Sequence, residues 1–267
     1  MTRFSSLFLI LFLLPSIPAA QTMTLPEDDS ASHGRPPTDT SFPLKVFKRV
    51  FEYSFDVPRS YCIDLDRATK ICQRLTETKS LMTFERDNKA LLEWDDDAIG
   101  SVWEAKFEVL KGDIDDDRKD ELVVAELQAQ GNGFGIETWR ISIIDNPESA
   151  HPPPPLHFEV NVYGSRGVFL RHGASPQCQI LKAEWASLKH PRKGWGMYLV
   201  GRWYHYRKGE LVPVSNRPVL IRRYLNSFAK ERERSWNDPN IPLKWLQNKN
   251  VEIVNAGFLK KYGENQR

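Results

Sequence analysis

The stretch richest in chemistry is Gly112-Asp113-Ile114-Asp115-Asp116-Asp117-Arg118-Lys119-Asp120-Glu121-Leu122-Val123-Val124. Carboxylates at alternate positions of a tight loop can converge on one point, and Ca²⁺ takes about six to eight oxygen ligands at roughly 2.3–2.6 Å. Asp113, Asp115 and Asp117 have that spacing. The bland alternative is a solvated turn whose Asp side chains satisfy backbone amides. Acids crowded this closely, with Glu121 beside them, repel unless a cation sits among them, which favours the metal loop. A second acidic run, Asp95-Asp96-Asp97, has consecutive spacing that points its side chains apart, as expected of a plain exposed loop or helix start.

An EF-hand would need a bidentate acid where the chain has Val124, so the helix-loop-helix version fails. The acid arrives earlier, at Glu121. With strand-like residues on both sides, the loop resembles the FG-GAP or VCBS repeat, a β-propeller blade carrying D-x-D-x-D-G-x-x-D-L between two strands. The resemblance covers about one blade, and this chain has Glu for the last Asp. It implies calcium held by the side chains of Asp113, Asp115, Asp117 and Glu121 and by the carbonyl of Lys119. Arg118 stands where the family has glycine, and a non-glycine residue at positive φ costs about 1–2 kcal/mol.

Other chemistry is thinner. Arg202, Trp203, Tyr204, Tyr206 and Arg207 interleave aromatic and basic residues, a pattern suited to an anionic glycan, a lipid headgroup or a protein partner, and equally to the two faces of an ordinary hairpin. Charge is uneven: residues 151–267 hold 20 Lys/Arg against 8 Asp/Glu, and residues 1–150 hold 17 against 27. Export, argued below, speaks against nucleic acid. Arg171-His172-Gly173 is similar to the RHG signature of histidine phosphatases. That family places it on the first strand of an α/β domain, whereas here it comes late, and neither His190 nor His205 has the family's acid/base context. There is no G-x-S-x-G elbow, H-E-x-x-H pair or phosphate loop.

The elements that would position these residues are mostly strands. Residues 44–55, 107–110, 121–127, 138–144 and 158–163 alternate or run apolar between turn signals, and 198–214 reads as a hairpin about Arg207-Lys208-Gly209-Glu210. Residues 79–94 read as a possible helix, 218–234 as strand passing to helix, and the prolines of 152–155 as a stiff spacer between two strand groups. An echo between 107–143 and 178–206 suggests repeated antiparallel sheets. Cys62 and Cys72 flank Arg67 symmetrically, so a hairpin there sets Ile63 opposite Ile71 and Asp64 opposite Lys70 and favours a Cys62–Cys72 bridge. Cys178 is left as a small buried hydrophobe or a thiol for another chain.

Residues 1–20 have the basic, apolar and small-residue order of a signal peptide, with cleavage expected after Ala19 or Ala20. The run from Leu7 to Leu14 is shorter than the roughly 20 apolar residues of a membrane span. Residues 21–43 are rich in Pro, Ser, Thr and Asp and read as a flexible linker, followed by an antiparallel β domain over 44–230 and a partly helical extension over 231–267. The expected protein is secreted or periplasmic and mainly β, with a small or incomplete propeller as its architecture. Its expected role is a non-enzymatic binding or structural module using calcium; the runner-up is a secreted hydrolase with an unrecognised site.

Overall fold

The computed structural model describes residues 40–53, 58–97, 104–130, 137–172, 177–225, 230 and 238–262. The strands are β1 (Thr40–Ser41), β2 (Lys45–Tyr53), β3 (Arg59–Asp64), β4 (Thr69–Leu75), β5 (Lys79–Arg86), β6 (Lys89–Asp97), β7 (Glu104–Gly112) and β8 (Glu121–Gln130). They continue as β9 (Glu137–Ile144), β10 (Leu156–Val160), β11 (Phe169–His172), β12 (Cys178–His190), β13 (Gly194–Arg207), β14 (Glu210–Pro213), β15 (Val219–Arg223) and β16 (Val251–Val254). Three short helices are described: α1 (Ser165–Val168), α2 (Leu243–Leu246) and α3 (Ala256–Tyr262).

Every described pairing is antiparallel, in sheets of five, four and seven strands. The five-stranded sheet, in the order β10-β9-β8-β7-β2, is the middle layer. One of its faces (Leu110, Val123, Ala125, Ile141, Ile143) packs with Phe169, Cys178, Ile180 and Tyr206 of the seven-stranded sheet. The other (Val109, Leu122, Val124, Ile144) packs with Ile71, Met82, Phe84 and Trp94 of the four-stranded sheet β3-β4-β5-β6. Burial on both faces explains why β8 has an apolar run, Leu122 to Ala125, instead of strict alternation.

The mainly β expectation holds, and no propeller is detected among the described residues. The echo between 107–143 and 178–206 is not a structural repeat, because β12 forms its hairpin directly with β13 whereas β8 intervenes between β7 and β9. Residues 79–94 are the β5–β6 hairpin, not a helix: Asp87 and Asn88 take φ of 52° and 59° between the paired Arg86 and Lys89. Two consecutive left-handed residues make the tight turn that strand twist favours, and Asp and Asn tolerate them best after glycine. The prolines of 152–155 lie in the connection between β9 and β10, which pair with each other, so they do not separate strand groups. Lys208 and Gly209, at φ of 48° and 79°, close the β13–β14 hairpin at the expected place.

Residues 1–20, read above as a signal peptide, lie outside the described residues, as do residues 231–237 and most of the segment 21–43 read as a linker. Among the described residues the first pairing is at Thr40, where β1 joins β11, and β16 adds to the edge of β15, so both β1 and β16 belong to the seven-stranded sheet. The C-terminal segment also packs on α1, where a Cβ at Gly167 would lie 2.2 Å from the Ile241 carbonyl oxygen. Only glycine allows that approach. Among the described residues no helix is long and apolar enough to cross a membrane.

Candidate metal centre

The acidic residues 113–120 form the loop of the β7–β8 hairpin, closed by the pair Gly112 and Glu121 at one end of the middle sheet. Ile114 is fully buried in the cluster between the middle and seven-stranded sheets, pinning the start of the loop. Two left-handed residues shape the rest: Asp116 at φ 67° and Arg118 at φ 71°. The glycine position of the resembled motif therefore has the backbone that glycine would favour, occupied here by Arg118.

This curl brings carboxylate oxygens of Asp113, Asp115 and Asp117 within 4.8 Å of one another. Asp113 accepts from the Asp116 N–H at 2.7 Å through Oδ1 and from the Arg118 N–H at 3.0 Å through Oδ2. Asp115 Oδ1 accepts from the Asp117 N–H at 3.2 Å, and Asp117 Oδ1 from the Lys119 N–H at 2.8 Å. Lys119 is exposed and contributes that amide to the turn.

Glu121 lies beneath the loop and is completely buried. Its Oε2 accepts from the Ile114 N–H at 2.8 Å, and its Oε1 is buried with no hydrogen-bond partner. Burial, reinforced by Asp115, Asp113 and Asp117, pushes its carboxyl up to about 8. Asp115 is also raised, first by burial and then by Asp117, Asp145 and Asp113. Asp145, just beyond β9, is a neighbour that spacing along the chain gave no means of finding: it reaches this electrostatic field because Leu122 pairs with Ile144. Tyr206 reaches it too, its hydroxyl held well above the usual range by burial, Asp145 and Glu121.

The three aspartates could hold a metal ion, whereas Glu121, expected as a further ligand, is not among the carboxylates that converge. Chemically the arrangement can bind a hard cation; it offers no nucleophile paired with a base.

The aromatic-basic set proves not to be a continuous surface. Trp203 is buried among Leu181, Leu199, Leu220 and Trp245, and Tyr206 is buried between the sheets, so neither is available to a ligand, a correction to the alternation-based expectation. Tyr204 is half-buried against the same cluster as Tyr206. Arg202 pairs with Glu184 at 2.9 Å, and exposed Arg207 donates to Gln177 at 3.4 Å. Asp95 to Asp97 end strand β6 instead of forming a loop, with Asp95 on Lys79 at 2.6 Å. His172 lies on β11 opposite Thr40, inside an antiparallel sheet unlike the phosphatase context. His205 contacts the Cys178 carbonyl and His190 contacts Glu252.

Cys62 and Cys72 are joined in the expected register, with Ile63 opposite Ile71 and Asp64 opposite Lys70. Cys178 is free and buried, its thiol pushed up to about 12 chiefly by that burial, as suits a packing residue. The bridge indicates an oxidising compartment. Compared with known proteins, the chain matches no family model, no curated protein and no solved structure.

Proposed function

We propose that this chain is an exported, secreted or periplasmic, non-enzymatic module whose β7–β8 loop binds calcium and thereby stabilises the three-layer β fold. The observation that carries the reading is the convergence of Asp113, Asp115 and Asp117 above Glu121, whose buried Oε1 lacks a partner. A cation held by the three aspartates would offset the repulsion among them and towards the neighbouring buried Glu121. The likeness to the FG-GAP or VCBS motif is taken as a likeness of the loop alone. The left-handed backbone at Arg118 supports it.

Thermal unfolding of the chelated chain, followed by calcium titration, tests the proposal beside the double variant Asp115→Asn/Asp117→Asn. At one hundred times its dissociation constant, calcium should stabilise by about 2.7 kcal/mol. For a domain of this size that is roughly 5–10 °C in Tm. No shift at millimolar calcium, or an equal shift in the variant, would leave the loop a solvated turn.

A further inference from the structure

The β12–β13 hairpin outruns its neighbours. Its ladder reaches from Ile180 opposite Tyr204 to His190 opposite Gly194, whereas β11 accompanies it only at Cys178–Ile180 and β15 only at Tyr198–Gly201. One face of the end is covered: His190 lies against Phe258 of α3 with ring centroids 5.5 Å apart, and Glu252 holds both His190 and Lys193. The opposite face continues the row of Leu199 and Trp203 outward to Met197 and Trp195, which are 42% and 54% exposed. Lys189 sits directly across from Trp195, and Arg192 lies in the turn. Both are exposed and, among the described residues, paired with no acid. Residues 189–197 contain no Asp, Glu, Asn or Gln.

We propose that this hairpin tip docks on the surface of an anionic lipid bilayer, with Trp195 and Met197 entering the interface and Lys189 and Arg192 against lipid phosphates. Indole rings favour the headgroup level, where an apolar body and a polar N–H are both accommodated. Basic side chains supply the second attraction that reversible surface binding needs. A glycan would require carboxylate or amide acceptors for sugar hydroxyls beside the ring; residues 189–197 supply none, and Glu252 is engaged by His190 and Lys193 on the covered face. Two apolar side chains on a narrow hairpin end are also far short of the roughly 1,000 Å² of a stable protein interface. The inference does not depend on calcium.

The test uses the full chain in chelator, mixed with vesicles of phosphatidylglycerol and phosphatidylcholine whose acyl chains are brominated to quench inserted tryptophan. Quenching is expected on the mixed vesicles and absent on pure phosphatidylcholine. It should vanish in Trp195→Phe, which retains an apolar ring but removes the fluorophore. Lys189→Gln and Arg192→Gln should each weaken partitioning about fivefold. Quenching that persists in Trp195→Phe places the inserted tryptophan elsewhere in the chain and overturns the proposal. So does absence of quenching on anionic vesicles, unchanged partitioning of the basic variants, or protection of Trp195 by heparin instead of by vesicles. Since calcium is excluded, none of these results bears on the metal loop.

Discussion

The substitution Glu121→Gln should change how the stability of the metal-free protein responds to pH. The folded carboxyl is pushed up to about 8 from an ordinary value of 4.5, by burial first and then by the loop aspartates. Between those two values the folded chain retains a proton that the unfolded chain has released. Stability must therefore fall as pH rises, by about 1.4 kcal/mol for each pH unit. Below the lower value both states are protonated and the contribution is complete; above the upper value both are ionised and it has been lost. The amide introduced by Glu121→Gln would keep an acceptor for the Ile114 N–H and carry no charge, so the variant should lack this slope. Urea unfolding of both proteins in chelator, from pH 4.5 to about 8, reads the difference directly and cancels groups common to both. The variant should gain on the wild type with every step up in pH. A difference that stays flat across that range refutes the argument that Glu121 is buried and protonated.

Four further variants probe the frame. Arg118→Gly relieves a left-handed non-glycine residue and should raise stability by about 1 kcal/mol in chelator, measured by urea unfolding. Trp203→Ala should cost about 3–5 kcal/mol, because the ring is core, whereas Arg202→Ala, removing a half-exposed ion pair with Glu184, should cost under about 1 kcal/mol; equal effects would contradict the placement of Trp203. Cys62→Ala/Cys72→Ala opens a short loop in the four-stranded sheet and should lower stability by about 2–3 kcal/mol, seen as a reduced midpoint in denaturant.

What could be read from the chain was what is local. The Cys62–Cys72 register follows from ten residues symmetric about Arg67, and the β13–β14 turn from a glycine free to take positive φ. The β5–β6 hairpin is not legible in the sequence although Asp87-Asn88 carries the chemistry of a tight turn, because apolar residues at Leu81, Phe84, Leu91 and Trp94 also satisfy a helical spacing. The burial of Trp203 is hidden for a different reason. Alternation identifies two faces of a strand but does not say which is covered, and its face is covered by Trp245 and Leu246, far along the chain. Gly201 shows how closely: a Cβ there would lie 2.5 Å from Leu246 Cδ1.

The candidate site divides along the same line. Convergence of Asp113, Asp115 and Asp117 is a property of the loop and is visible in their spacing, whereas the proximity of Asp145 needs the pairing of β8 with β9 and that of Tyr206 needs the seven-stranded sheet to pack on the middle one. That closure turns an acidic turn into something more consequential. An exposed loop could relax its carboxylates into water, but Ile114 and Glu121 are rooted in the core at either end. Spreading the loop to separate its charges would pull Ile114 out of that core, losing roughly 1.5–3 kcal/mol of burial for one side chain. The fold therefore holds the aspartates together against their repulsion, and a bound cation would relieve a strain that the surrounding layers prevent the loop from relieving by itself.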